Sequence, residues 1–269
     1  RDVLGSRGLG DVYKRQGIGF NICMHNLQWN NVTIKYVITG LVNGGSIVTT
    51  YWFFMPLYAA YLAIPLFSAV EKEKRKSVYV YISVVGFLLN VLIPFAAKFT
   101  DWVPYNPGFR LFVNMSYLFY VVVGWLLHTQ EIKRKDRIVI YILAILGLFT
   151  NMIGTYFLSM RDGTVNKTFN GYNDVPCILY AIGVFVLIKQ IAPKIMDVKW
   201  IRAIVVYLNK YTFGVYLLHW SVLKAVIRLT RVNEVSLIWR LLSPIGIVAV
   251  CVAIIWVIRK IPVLKHVVP

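Results

Sequence analysis

The sequence predicts an all-α fold, a polytopic bundle of transmembrane helices with about seven spans, and three observations carry that prediction. Of 269 residues, 58% are hydrophobic and only 15% charged, with a mean hydropathy of +0.66, a balance far too apolar for a soluble domain of this length. The apolar residues come in stretches close to the ~20 that a bilayer core demands. Lysine and arginine gather in short clusters between those stretches. A formal charge of +18 would also suit a nucleic-acid binder, but no extended basic face or base-stacking module accompanies it, so topology accounts for the charge better and no nucleic-acid partner is expected.

Arg1 to Gln16, RDVLGSRGLGDVYKRQ, has no initiator Met, is glycine-rich and charged, and gives way abruptly to apolar sequence at Gly17. It resembles translated adapter read-through, and residues 1–16 are set aside as non-native, the other reading being a natural loop. On the first reading the native N-terminus is missing. Gly17 to Met24 reads as the end of a truncated span. Ile34, Val37, Ile38, Leu41 and Val42 repeat at the spacing of a short helix lying in the interface, closed by Asn43, Gly44 and Gly45. The spans then run from Thr50 to Ala69, Ser77 to Ala97, Leu111 to Thr129, Ile138 to Met160, Asp174 to Ile191, Tyr211 to Ile227 and Leu237 to Ile258. No repeat or linker divides them.

The loops alternate in charge. Lys72, Lys74, Arg75 and Lys76 fill the first connection, Lys133, Arg134, Lys135 and Arg137 the third, and Lys189, Lys194, Lys199 and Arg202 the fifth. The second holds Lys98 and Arg110, the fourth Arg161 and Lys167. Odd loops are therefore cytoplasmic, and Arg259, Lys260 and Lys265 place the C-terminus there too. The sixth loop, with Lys224, Arg228, Arg231 and Arg240, breaks the pattern, either as a topology exception or as an outward site for an anionic glycan or lipid phosphate.

His219 is the one histidine deep in an apolar span, roughly 13 Å in from Lys210. Phe213, Tyr216 and His219 share a helical face. A neutral imidazole donates and accepts at once, which suits proton transfer with a hydroxyl and equally suits a backbone carbonyl. The first span carries Trp52, Tyr58 and two prolines, Pro56 and Pro65, so a kinked helix lining a cavity is plausible; Trp52 either stacks on a sugar face or belongs to the aromatic belt. In the outer loop FTDWVPYNPGFR, Asn106 and Arg110 sit among aromatics and turn formers, a combination suited to carbohydrate or phosphate. Asn114 is polar within the next span, where helix glue is the plainer reading. All 11 acidic residues lie in the tail, the loops or the span edges, which counts against a proton- or cation-coupled carrier. Cys23, Cys177 and Cys251 have no metal-ligand spacing, and no metal is implied.

Trp52, Phe53, Leu57, Tyr61, Leu62 and Pro65 together resemble the W-F…L…Y-L…P span of the acyltransferase 3 family. Tyr211 to His219 is similar to that family's late S-F-G-I-Y-L-I-H segment, with Thr212 for Ser and Val215 and Leu218 for Ile. Asn114 to Leu126, ending GWLL, and the C-terminal IRKIPVLKHVV also resemble family segments. The resemblance implies a single membrane acyltransferase domain, of which residues 17–269 would be the C-terminal part, in the plasma membrane with both termini cytoplasmic. It implies transfer of an acyl group, usually acetyl, from acetyl-CoA or another acyl-CoA to hydroxyls of a surface polysaccharide or lipid-linked glycan, with the lipid bilayer and that acceptor as partners. The family's basic residue and histidine of the first span have no counterpart here, so this chain alone is expected to be inactive. His219 is then the catalytic candidate, and Trp52, Tyr58, Asn106, Arg110, Asn114 and Tyr216 are the candidate substrate-binding residues. The alternative is a polytopic transporter of a polysaccharide precursor or small molecule.

Overall fold

A computed structural model describes residues 52–100, 106, 108, 117–234 and 236–261. The 1–16 segment, the span end at Gly17 to Met24 and the interfacial helix at Ile34 to Val42 lie outside the described residues. Within them every regular element is helical and no strand occurs, so the all-α expectation holds. The helices are α1 (Phe54–Ser68), α2 (Lys72–Ala96), α3 (Leu118–Thr129), α4 (Arg134–Asp162), α5 (Val175–Met196), α6 (Lys199–Asn209), α7 (Thr212–Thr230) and α8 (Leu237–Lys260).

Four of them, α2, α4, α5 and α8, are long and apolar enough to cross a membrane by length and composition. The expected count of seven is not reached on those criteria, and the reasons are local. α1 has 15 residues and α3 12, with residues 111–116 of the expected third span undescribed. α7 spans 19 residues but carries His219, Lys224 and Arg228 along its length.

Proline shapes both α1 and α2. Pro56 falls in the first turn of α1, where no intrahelical donor is needed, so only Pro65 frees a carbonyl, that of Tyr61. In α2, Pro94 cannot donate to Asn90, and its ring presses on that carbonyl. The preceding turn, Leu88–Leu92, widens into a π-helix, with Ile93 N–H bonding Leu88 O. α4 ends where Gly163 turns left-handed at φ 66°, the ordinary glycine stop.

The chain divides into two compact units, one running from Pro56 to Asp197, the other made of the segment up to Met55 with Val198 onward. In the Pro56–Asp197 unit, α4 and α5 approach closely because of glycine. A Cβ at Gly147 would lie 2.7 Å from the Pro176 carbonyl oxygen, and one at Gly183 would land on the Ala144 Cβ. Val91, Phe119 and Ile178 form the core where α2, α3 and α5 meet. The ends of this unit are fastened by charge. Lys98 pairs with the buried Asp174 at 2.6 Å and also donates to Thr168 O, while the other Asp174 oxygen accepts the Gly171 N–H at 2.9 Å. At the opposite end of α5, Lys189 donates to the carbonyls of Leu127, His128 and Gln130 at 2.6–2.9 Å, capping α3. Lys189 enters the sequence reading only as an orientation signal; its position makes it a helix cap as well.

In the other unit, Tyr211, Val215, Leu218 and Val222 recur every three or four residues and pack against Ile247, Cys251, Val252 and Ile255 of α8. α6 was expected to be loop. It is instead an amphipathic helix with no buried residue, Trp200, Ile204, Val205 and Leu208 on one side and Lys199, Arg202 and Asn209 on the other, the pattern of a helix lying along an interface. Arg259 holds its end, donating to Lys210 O at 2.8 Å and stacking 4.7 Å from the Tyr211 ring. The Tyr211 hydroxyl donates to that of Tyr207, and this bond raises the Tyr207 pKa above the ordinary phenol value.

Candidate functional site

Beside its contact with α8, α7 carries the expected trio of Phe213, Tyr216 and His219. A turn at Trp52 and Phe53 brings the start of α1 against it. Phe53 meets the Tyr216 ring edge-on with centroids 5.7 Å apart, and Phe54, 4% exposed, meets Phe213 edge-on at 6.4 Å. Trp52 packs edge-on against Phe53 at 6.1 Å, and Tyr216 lies 5.8 Å from the His219 imidazole. A continuous run of rings therefore leads from Trp52 through Phe53 and Tyr216 to His219.

Backbone geometry fixes the imidazole. Its Nδ1 lies 2.6 Å from the Tyr216 carbonyl oxygen and 3.3 Å from that of Val215. Both neighbours are acceptors only, so Nδ1 carries the hydrogen and donates. In the neutral ring the lone pair is then on Nε2, which has no hydrogen-bond partner among the described residues. The two sequence readings of His219, backbone ligand and proton acceptor, thus fall on different nitrogens of one ring. The half-buried ring and exposed Trp52 leave this arrangement open at one side.

The other candidates are placed as follows. Tyr58 lies in the Pro56–Asp197 unit, two residues after Pro56 in the chain. Asn106 spends its side-chain carbonyl on its own loop, accepting the Gly108 N–H at 2.8 Å, so it is a turn former first. Arg110 and Asn114 lie outside the described residues. Phe53 was missed as a site residue, although its adjacency to Trp52 in the WFF run was the available signal. Among the described residues no group of three His, Cys, Asp or Glu side chains can hold a metal ion.

The buried Asp174 bears on the transport alternative. A carrier carboxylate has to take up and release its ion, whereas both oxygens of Asp174 are already engaged, by Lys98 and by the Gly171 amide. It reads as a lock between the α2 end and the α5 start.

No curated protein and no solved structure matches the chain. One family model, described as an acyltransferase domain, matches residues 16–259, which takes in nearly all the helices above and the whole of the ring run.

Proposed function

This chain belongs to the acyltransferase 3 family, and from that premise we propose that it transfers an acyl group, acetyl in the first instance, from acyl-CoA to a hydroxyl of a surface polysaccharide or lipid-linked glycan. The observation that supports a role for His219 is the anchored Nδ1–H, which leaves Nε2 as the basic atom. In the proposed step Nε2 takes the proton of the acceptor hydroxyl as its oxygen attacks the thioester carbonyl. The new C–O bond forms, the C–S bond breaks, and the departing CoA thiolate takes the proton back from the imidazolium. Trp52, with Phe53 and Tyr216 behind it, offers an aromatic face for the acceptor sugar. The orientation proposed is that of the basic loops, with the C-terminus cytoplasmic and the protein multi-pass in the plasma membrane.

The test separates the two nitrogens. His219→Asn keeps an N–H near the position of Nδ1, able to donate back to the helix, but removes Nε2. Transfer from labelled acetyl-CoA to membrane glycan, assayed with the complete protein in membranes, is expected to fall on the order of 100-fold or more while expression and thermal midpoint hold. Undiminished transfer by this variant would remove His219 from the chemistry.

A further inference from the structure

α1, α2 and α3 line a cleft of about 180 Å³ within the Pro56–Asp197 unit. Its lining is mostly apolar, with Ile64, Phe67, Leu118, Val122 and Trp125 beside Tyr79. Tyr79 is locked in place, its hydroxyl donating to Phe67 O at 3.0 Å and its ring edge-on to Trp125 at 4.8 Å. One end carries a single cation, Arg75. Its Nη2 donates to the carbonyls of Ser68 and Val70, capping α1, but its Nε–H is buried with no acceptor among the described residues. A buried donor without a partner is costly, and on a guanidinium the natural partner is an anionic oxygen.

We propose that this cleft is a binding site for an anionic phospholipid, with one acyl chain along the apolar walls and the headgroup phosphate on Arg75. At about 180 Å³ the cleft lies below the roughly 300–1,000 Å³ of ordinary small-molecule pockets; it is too small for a nucleotide and takes a segment of an acyl chain, the rest of which runs out of its open side. The charge favours an anion. Lys72 and Lys76 flank Arg75 on α2, where Lys74 and Glu71 neutralise each other at 2.7 Å and Glu73 is the one other carboxylate of that turn. Partly exposed Ile64 and Val121 open the cleft towards the surface that the proposed bundle turns to lipid.

Trp125 makes the cleft readable. The whole chain is reconstituted in phosphatidylcholine nanodiscs containing chain-brominated phosphatidylglycerol or chain-brominated phosphatidylcholine. The quenched emission belonging to Trp125 is taken as the difference between wild type and Trp125→Phe. Phosphatidylglycerol is expected to quench Trp125 with about fivefold preference, and Arg75→Gln to bring the two lipids level. Equal quenching of the wild type by both lipids overturns the proposal, as does a preference that survives Arg75→Gln. Relief of quenching by inorganic phosphate or by acetyl-CoA also overturns it, assigning Arg75 to a free anion or to the acyl donor. If Arg75→Gln fails to fold because α1 loses its cap, the wild-type comparison and the two competitors decide alone.

Discussion

An imidazole inside a membrane protein has two nitrogens to satisfy, and at His219 the helix satisfies only one of them. Lys98 and Asp174 show the opposite outcome, a charge pair with every carboxylate oxygen engaged. Asp174 is 8% exposed while the Lys98 side chain remains 38% exposed, so the pair lies between a surface bridge and a fully buried one. Lys98→Met leaves a buried carboxylate without its cation and is expected to lower the unfolding free energy in detergent by roughly 1–3 kcal/mol. Adding Asp174→Asn to it should recover part of the loss. If the double variant is less stable than Lys98→Met alone, the pair is not what holds this end. His219 was legible in the sequence because a titratable residue at mid-span stands out against its apolar neighbours. The Lys98–Asp174 pair was not, since its members are 76 positions apart and each looked like an ordinary loop charge.

Among the elements, the α4–α5 pair depends most directly on the absence of side chains. Gly183 sits where the Ala144 Cβ already occupies the space, and Gly147 where the Pro176 backbone does, so neither site can gain a methyl without the helices moving apart. Gly183→Ala is expected to cost about 1–3 kcal/mol, read as a lower thermal midpoint in detergent. Gly246→Ala in α8 is the control, because nothing lies within 4 Å of its would-be Cβ, and it should leave the midpoint unchanged or raise it slightly. Equal effects from the two substitutions would refute the close contact. Periodicity located these helices but was blind to the contact, since small residues in an apolar run carry no partner information. α6 was lost for a related reason: its basic residues were counted as loop charge, although they fall on one side of a helix. The span ends came out nearly as expected where Lys and Arg mark them, as at α4 and α8. The start of α1 shifted to Phe54 because the aromatic run before it is equally apolar in a turn.

For the whole molecule, the number of bilayer crossings turns on α3. α4, with 29 residues, rises about 43 Å and is more than long enough for a core of about 30 Å, whereas the 12 described residues of α3 rise only about 18 Å. If α2, α3 and α4 all cross, position 72 and position 165 lie on opposite sides; if α3 does not, they lie on the same side. From position 165 to position 234 the chain passes α5 and α7, with α6 lying along the interface, so those two positions share a side. The positive-inside argument puts Lys72 in the cytoplasm, and Val165, 74% exposed, outside with Glu234. Single cysteines at these three positions, in a chain whose own Cys23, Cys177 and Cys251 are replaced, can be probed with a membrane-impermeant maleimide. Val165→Cys and Glu234→Cys should label in intact cells and Lys72→Cys only after permeabilisation. Labelling of positions 72 and 165 from the same side would demote α3 to a re-entrant or interfacial helix. Labelling of 165 but not 234 would instead make α6 or the basic sixth loop the place where the topology departs from the charge rule.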